Sequence, residues 1–344
     1  MKIHAYFVCY NEEKILPVIL DYYSGFCSKI FIFDNGSVDE SIAIATTYPN
    51  VKVIPFDTGG LKDNKKHVQI KTQAYKEYSR SGGRFTEEIA DWVICCDMDE
   101  IIYHHDLISI LSEYDRLHVT VPQVTGFDMV DVNDVDTSIP ILSQYKSGVR
   151  NSVFDKRAIF KPSFDMSYSL GCHSNGPGFE LMKETYGYKT SNKYPIAMLH
   201  YKHVGGLLHE SAVKNLSRFD MDKMEKDASG KYRGPGSQYA FFKDKGPNFS
   251  PFLRNSKPVL NDKNEVLFEN FPPTTGEVGT EQSSGKVIEQ TDVEFIRDAA
   301  LSLEQSDLDL SFKLISLAYR FRPNGPVIKR KYEELKERSY GAIT

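Results

Sequence analysis

The sequence predicts an α/β fold, a mixed sheet flanked by helices and followed by a small C-terminal helical appendage. Three observations lead there. Apolar, β-rich runs alternate with helix-periodic segments between residues 3 and 96, the run at Trp92 is apolar along its length as in a strand buried on both faces, and three helix-periodic patterns close the chain.

The elements follow in order. Ile3 to Cys9 is a strand, and Ile15, Leu16, Val18, Ile19 and Tyr22 recur at helical spacing up to Gly25. Lys29 to Phe33 forms a second strand that ends in Asp34-Asn35-Gly36-Ser37, after which Asp39 is the expected N-cap of a short helix carrying Ile42, Ala43 and Ala45. Val51 to Phe56 is the third strand, Lys65 to Tyr78 a helix stopped by Ser81-Gly82-Gly83, and Asp91 to Cys96 the fourth strand. Such alternation calls for parallel strands with helices on both faces, which gathers the acids that follow the first, second and fourth strands on one edge.

Further on, a helix at Leu107 to Tyr114 and strands at His118 to Val124, Arg157 to Lys161 and Ile196 to Tyr201 indicate a mixed sheet, before a helix from Leu208 to Lys226. The expected organisation is a sheet domain over 1–227, a long Gly-, Pro-, Asn-, Lys- and Ser-rich segment over 228–290 and a helical region over 291–344. Val293 to Leu303, Leu308 to Arg320 and Val327 to Arg338 are helical patterns of the tetratricopeptide kind, too few for a repeat array and read as a packing appendage in preference to a docking platform.

With 42 basic and 47 acidic side chains and no basic block interleaved with aromatics, the chain has no nucleic-acid track, so no nucleic-acid partner is expected. No apolar run is long enough to span a bilayer and the chain enters its first strand directly, so the expected location is the cytoplasm. The five cysteines have neither disulfide nor zinc spacing.

The most informative segment is Trp92-Val93-Ile94-Cys95-Cys96-Asp97-Met98-Asp99-Glu100, an apolar strand ending in three carboxylates. Asp97 and Asp99, one residue apart where strand passes into loop, can both turn toward one hard divalent cation, which in turn can hold a diphosphate. The bland alternative is a solvated acidic turn.

Together, Val8-Cys9-Tyr10-Asn11-Glu12, Ile32 to Asp39 and Trp92 to Glu100 resemble inverting nucleotide-sugar glycosyltransferases of the GT-A fold, a Rossmann-like mixed sheet, and most closely the group of glycosyltransferase families 2 and 92. Lys156 to Pro162, Cys172-His173 and Leu199-His200-Tyr201 with Lys214 are similar to later signatures of that group, and the likeness runs from Lys2 to Arg218. The chain departs from many family 2 members in lacking an "ED" acceptor-base motif and a "QxxRW" motif, which leaves the base open and argues against a processive synthase.

The resemblance implies a divalent metal, Mn2+ or Mg2+, a UDP-sugar donor in preference to a GDP- or dTDP-sugar, and a glycan or lipid-linked glycan acceptor in bacterial lipopolysaccharide or capsule synthesis, with peripheral contact at the inner membrane surface where the acceptor is lipid-linked. It makes Asp99 a direct metal ligand and Asp97 a ligand or a nucleotide contact, with His200 or His173 completing the metal shell. Asn11, Glu12 and Asp34 end the first two strands where a nucleoside would lodge, and Lys65 is the phosphate partner chosen from Lys62, Lys65 and Lys66. Glu180, in the turn Gly176 to Glu180, and Asp128, placed after the strand His118 to Val124, are the two candidates for the base that deprotonates the acceptor hydroxyl. Two rivals stand beside this reading. One is a sugar-nucleotide nucleotidyltransferase, which needs a Gly-rich basic loop where this chain has Tyr10-Asn11-Glu12-Glu13; the other is a non-catalytic adaptor acting through its last helices.

Overall fold

The structure is a computed structural model that describes residues 1–166, 168, 189–219, 250–271, 290–305, 308–322 and 324–341. His173 and Glu180 lie outside the described residues, as do Cys172 and most of the segment 228–290.

The expected βα alternation is present. Strand β1 (Ile3–Cys9) is followed by α1 (Leu16–Ser24), β2 (Lys29–Asp34) by α2 (Ser41–Ala45), and β3 (Val51–Pro55) by α3 (Asn64–Tyr78), which leads into β4 (Trp92–Cys95). These strands are parallel, in the order β3-β2-β1-β4, with the short strand β8 (Ile159–Phe160) added antiparallel to β4. The chain therefore moves one way from β1 to β3 and back across β1 to reach β4. Right-handed crossovers of opposite travel put α1 and α3 on opposite faces: Phe7 packs its ring on Tyr23 of α1, while His4 and Tyr6, one residue out of phase, bond Ser79 at the end of α3. The reversal between β1 and β4 is a topological switch point, where open sheets of this kind leave a crevice at the carboxyl ends of their strands.

A second mixed sheet has the order β10-β7-β6-β9-β5, made from β5 (Glu100–Tyr103), β6 (Val121–Asp131), β7 (Ser147–Arg150), β9 (Thr190–Val204) and β10 (Lys257–Pro258). Helices α4 (Leu107–Arg116), α5 (Ile141–Gln144), α6 (Leu207–Leu216) and α7 (Ser250–Asn255) complete this unit, which draws its residues from 1–172 and 189–272. The architecture is thus α/β, with two mixed sheets flanked by helices. Its core runs through both sheets, from Ile3, Phe7 and Trp92 to Phe127, Met198 and Tyr201.

The second unit contains α8 (Gln290–Leu303), α9 (Leu308–Phe321) and α10 (Pro326–Gly341) around a core of their own that includes Ile296, Ala300, Ile315, Ala318, Ile328 and Leu335. Among the described residues no helix is long and apolar enough to cross a membrane.

Three local expectations are corrected. The strand expected at His118 to Val124 instead spans Val121–Asp131, because its register against β9 shifts between Pro122 and Val124 and again between Asp128 and Val130, which breaks the two-residue alternation. Asp128 therefore lies within a strand, not after one. Asp39 is not the N-cap of α2, which is Glu40; its carboxylate instead accepts the amides of Ser41 (3.0 Å) and Glu13 (3.2 Å) and ties the β1 and β2 turns together.

At the opposite end of β1 the fully buried His4 contacts Ser79 Oγ through Nδ1 (2.6 Å) and Glu88 through Nε2 (3.0 Å), and Tyr6 Oη shares the same hydroxyl. The residue types are those of a hydrolytic triad, but a fully buried Ser79 Oγ that is already shared cannot meet a substrate. The network is a polar clasp. Replacing Ser79 by Ala strands two buried polar groups and should cost about 1–3 kcal/mol of unfolding free energy in urea titration; an unchanged midpoint would remove the clasp from the stability argument.

Candidate functional site

The parallel strands β2, β1 and β4 deliver Asp34, the Tyr10-Asn11-Glu12 turn and Asp97 to one sheet edge, as the sequence implied. Asn11 has φ 51°, a left-handed conformation that asparagine tolerates when its side chain bonds locally. Here its Oδ1 accepts the Val38 amide (2.8 Å) and its own amide donates to Ser37 Oγ (2.9 Å). Asp34, 7% exposed, accepts the amides of Gly36 and Ser37 at 3.1 to 3.2 Å, and Gly36 at φ 79° completes the turn. The two strand-end turns thus brace each other.

Helix α6 and the residues after it lie across this edge. Lys214 Nζ pairs with Glu12 (2.5 Å) and donates to the Asn11 carbonyl (3.0 Å). Arg218, 4% exposed, stacks on Tyr10 with its guanidinium carbon 3.6 Å from the ring centroid and bonds Asn35 Oδ1 and the Gly60 and Leu61 carbonyls. Lys62 Nζ donates to Asn215 Oδ1 (2.7 Å). Burial raises the Glu12 carboxyl above its ordinary pKa, against the pull of Lys214.

Asp97 and Asp99 face different partners. One Asp97 oxygen pairs with Lys71 of α3 at 2.5 Å and the other with Lys156 at 3.3 Å. Burial opposes ionisation of Asp97, and the two ammonium groups outweigh it and hold its carboxyl well below the usual range. Lys156, 3% exposed, also pairs at 2.5 Å with the fully buried Glu100, whose other oxygen accepts the Asp97 amide (3.0 Å). Asp99 Oδ2 instead lies 3.4 Å from His200 Nε2, while His200 Nδ1 is 2.6 Å from Asp128 Oδ1. Strand register pairs His200 with Asp128 of β6 on one side and with Glu100 of β5 on the other, and Asp99, just before β5, comes to the ring's second nitrogen. Burial alone would lower the His200 pKa, but Asp99 and Asp128 raise it to about 9.

These placements sort the residues chosen from sequence. Asn11, Glu12, Asp34, Asp97, Asp99, Asp128 and His200 come to the two strand edges that meet at this site. Lys65 is exposed at the start of α3, and the side chain that α3 sends to Asp97 is Lys71. The two differ by six residues, about 120° around a helix. Asp128 is 2% exposed, with one oxygen on His200 and the other on Asn151 Nδ2 (2.7 Å), an arrangement suited to holding the imidazole. Sequence reasoning missed Lys71, Asn151, Phe154 and Arg218, none of which stands out by type or spacing.

For a divalent cation, the described residues offer the Asp99 carboxylate and His200 Nε2, an oxygen and nitrogen pair compatible with Mn2+. Among the described residues there is no cluster of three or more metal-ligating groups. Asp128 bonded to the far nitrogen is the outer carboxylate that usually orients a ligating histidine.

Glu100 depends on Lys156 for its charge balance. Lys156→Met should cost about 3–5 kcal/mol in urea unfolding because it leaves a buried carboxylate unpaired, and Lys156→Met with Glu100→Gln should recover most of that loss. Equal destabilisation of the single and double variants would contradict the pairing.

No protein-family model matches the chain, and no curated protein matches it in sequence. Among solved structures it is similar to S. aureus TarS 1-349 in complex with UDP-GlcNAc, at 14% identity over 99% of this chain and 92% of that one, with a TM-score of 0.39. The same protein in complex with UDP gives 13% identity over 100% and 92%, and a TM-score of 0.39. Glucosyl-3-phosphoglycerate synthase from Mycobacterium tuberculosis, in complex with Mn2+, UDP and phosphoglyceric acid, gives 17% over 37% and 43%, and a TM-score of 0.23. Likenesses this distant assign neither activity nor ligand to this chain.

Proposed function

We propose that the protein is a nucleotide-sugar glycosyltransferase that moves one sugar, with inversion, from a UDP-sugar to a hydroxyl of a glycan or lipid-linked glycan acceptor. The observation that carries the reading is the gathering of Asn11, Glu12, Asp34 and Asp97 at the carboxyl ends of parallel strands beside a switch point, with the Asp99–His200–Asp128 chain next to them. Here the Asn11 and Asp34 turns receive the nucleoside, with Tyr10 and Arg218 closing that end. Asp97, pinned by Lys71 and Lys156, is a fixed acceptor for a nucleotide hydroxyl. A divalent ion held by Asp99 and His200, when bound, supplies stabilisation of the charge that grows on the departing diphosphate.

An inverting transfer needs a carboxylate free to take the acceptor proton. Both Asp128 oxygens are engaged, so that role goes to Glu180 in this reading. Its place in bacterial surface-polysaccharide synthesis rests on the sequence resemblance alone.

Calorimetric titration of UDP, GDP and dTDP, each with and without Mn2+, tests the reading. UDP should bind, Mn2+ should tighten it by roughly tenfold or more, and Asp99→Ala should remove that gain. Absence of binding by all three nucleotides would sink the glycosyltransferase reading. UDP binding that ignores Mn2+ would sink the metal alone.

A further inference from the structure

One short segment touches four charged groups of the site, Asp128, His200, Asp97 and Glu100. Asn151 donates to Asp128 Oδ2 (2.7 Å) while its own Oδ1 accepts the Val153 amide (3.1 Å), which fixes the direction of the amide. Three residues on, the Phe154 ring stacks on His200 with centroids 4.0 Å apart and planes at 28°. Two further on, Lys156 reaches Asp97 and Glu100 and passes 5.0 Å from the Phe154 ring.

The segment is itself clipped to β6 at Gly126, beside the strand pairing of Phe127 with Arg150. Arg150 pairs with Asp155 (2.5 Å) and donates to the Gly126 carbonyl (3.1 Å), Asp155 accepts the Gly126 amide (2.8 Å), and the Asn151 amide donates to that same carbonyl (3.0 Å). A Cβ on Gly126 would stand 2.4 Å from Phe154 Cβ and 2.7 Å from the Asn151 carbonyl oxygen. Neither is a flexible side-chain end that could move aside. A side chain at Gly126 would thus lift the segment off the site.

We propose that the segment from Arg150 to Lys156 is a brace that orients the site, with Asn151 and Phe154 as positioning residues acting through Asp128 and His200. An imidazole between two carboxylates can turn about its χ2 bond, whose energy wells are broad. Phe154 blocks that rotation by lying flat against the ring. Asn151 blocks the matching rotation of Asp128 by holding the oxygen that His200 does not use. Nε2 is left aimed at Asp99, where the proposed chemistry needs it. The catalytic consequence rests on the glycosyltransferase reading; the orientation of the ring does not.

The test therefore has two readouts on the full chain, for Asn151→Ala, Phe154→Ala, Phe154→Tyr and Gly126→Ala. Asn151 and Phe154 are only partly buried, so their variants keep the experiment informative should Gly126→Ala not fold. In the first readout, histidine-ring NMR with the signal assigned through His200→Gln, the parent should show a slowly exchanging Nδ1–H. The alanine variants should exchange it faster, and Phe154→Tyr should restore it. In the second, turnover of a UDP-sugar should fall roughly tenfold to a hundredfold in kcat for Asn151→Ala and Phe154→Ala, with KM nearly unchanged. His200 signals identical to the parent in both alanine variants overturn the brace, whatever the activity. Altered His200 signals with an unaltered kcat overturn its catalytic role. A parent that turns over no UDP-sugar while the NMR shifts appear as described supports the brace and counts against the glycosyltransferase reading only.

Discussion

A buried or half-buried carboxylate must find a cation or lose its charge, and this constraint shapes the whole strand edge. Glu12, Asp97, Asp99, Glu100 and Asp128 collect there, and their partners come from distant parts of the chain: Lys214 from α6, Lys71 from α3, Lys156 from the connection between β7 and β8, and His200 from β9. The ion pairs hold the site and join the two sheets at the same points. Asp97 and Glu100 flank the passage from the first sheet to the second, and Lys156 binds both. Loss of that ammonium would affect folding and function together.

The same pairing separates two acids that look equivalent in sequence. Asp97 keeps 47% of its side-chain surface, yet each of its oxygens has an ammonium beside it, so its position and charge are fixed before any ligand arrives. Asp99 lies 3.4 Å from the imidazole, and Lys202 adds to the charge that favours its ionised form. A preset acceptor suits recognition, because it needs no reorganisation on binding. A loosely held carboxylate beside an imidazole suits a group that must change partners, as a ligand to an incoming cation does.

The first sheet was legible because each βα unit is local: the apolar periods of β1, α1, β2 and α3 lie within short stretches, and the acids at their ends mark the edge without knowledge of the pairing. The second sheet was not. Its centre, β6 against β9, joins residues far apart in sequence, and β6 carries Gly126 and Asp128 where an alternating strand would carry apolar side chains. Those positions break the pattern because they serve the site: Gly126 admits the brace and Asp128 holds His200. Lys71 was hidden for another reason. A lysine within an amphipathic helix reads as solvated, and only the folded chain shows that it is 2% exposed and paired with Asp97. The Asp-x-Asp spacing announced that charge would gather, but spacing carries no information on which cation each acid meets.

The balance of charge bears on how a diphosphate could be received. Among the described residues, Lys62, Lys71, Lys156, Lys214 and Arg218 reach the site already bonded to a carboxylate, an amide or a carbonyl of the protein, and Lys202 adds its charge near Asp99. A nucleoside diphosphate would add two or so further negative charges to an edge whose lysines are committed. It can be bound tightly if some of those ion pairs open, which would release Asp97 or Glu12 and cost their stabilisation, or if a further cation comes with it. Asp99 is the carboxylate with the fewest rivals for such a cation, and His200 beside it is oriented by Asp128 from behind. In the proposed reading, a divalent ion held by Asp99 and His200 would supply positive charge that the committed lysines do not. Affinity for nucleotide or ion alone should be weak for the same electrostatic reason.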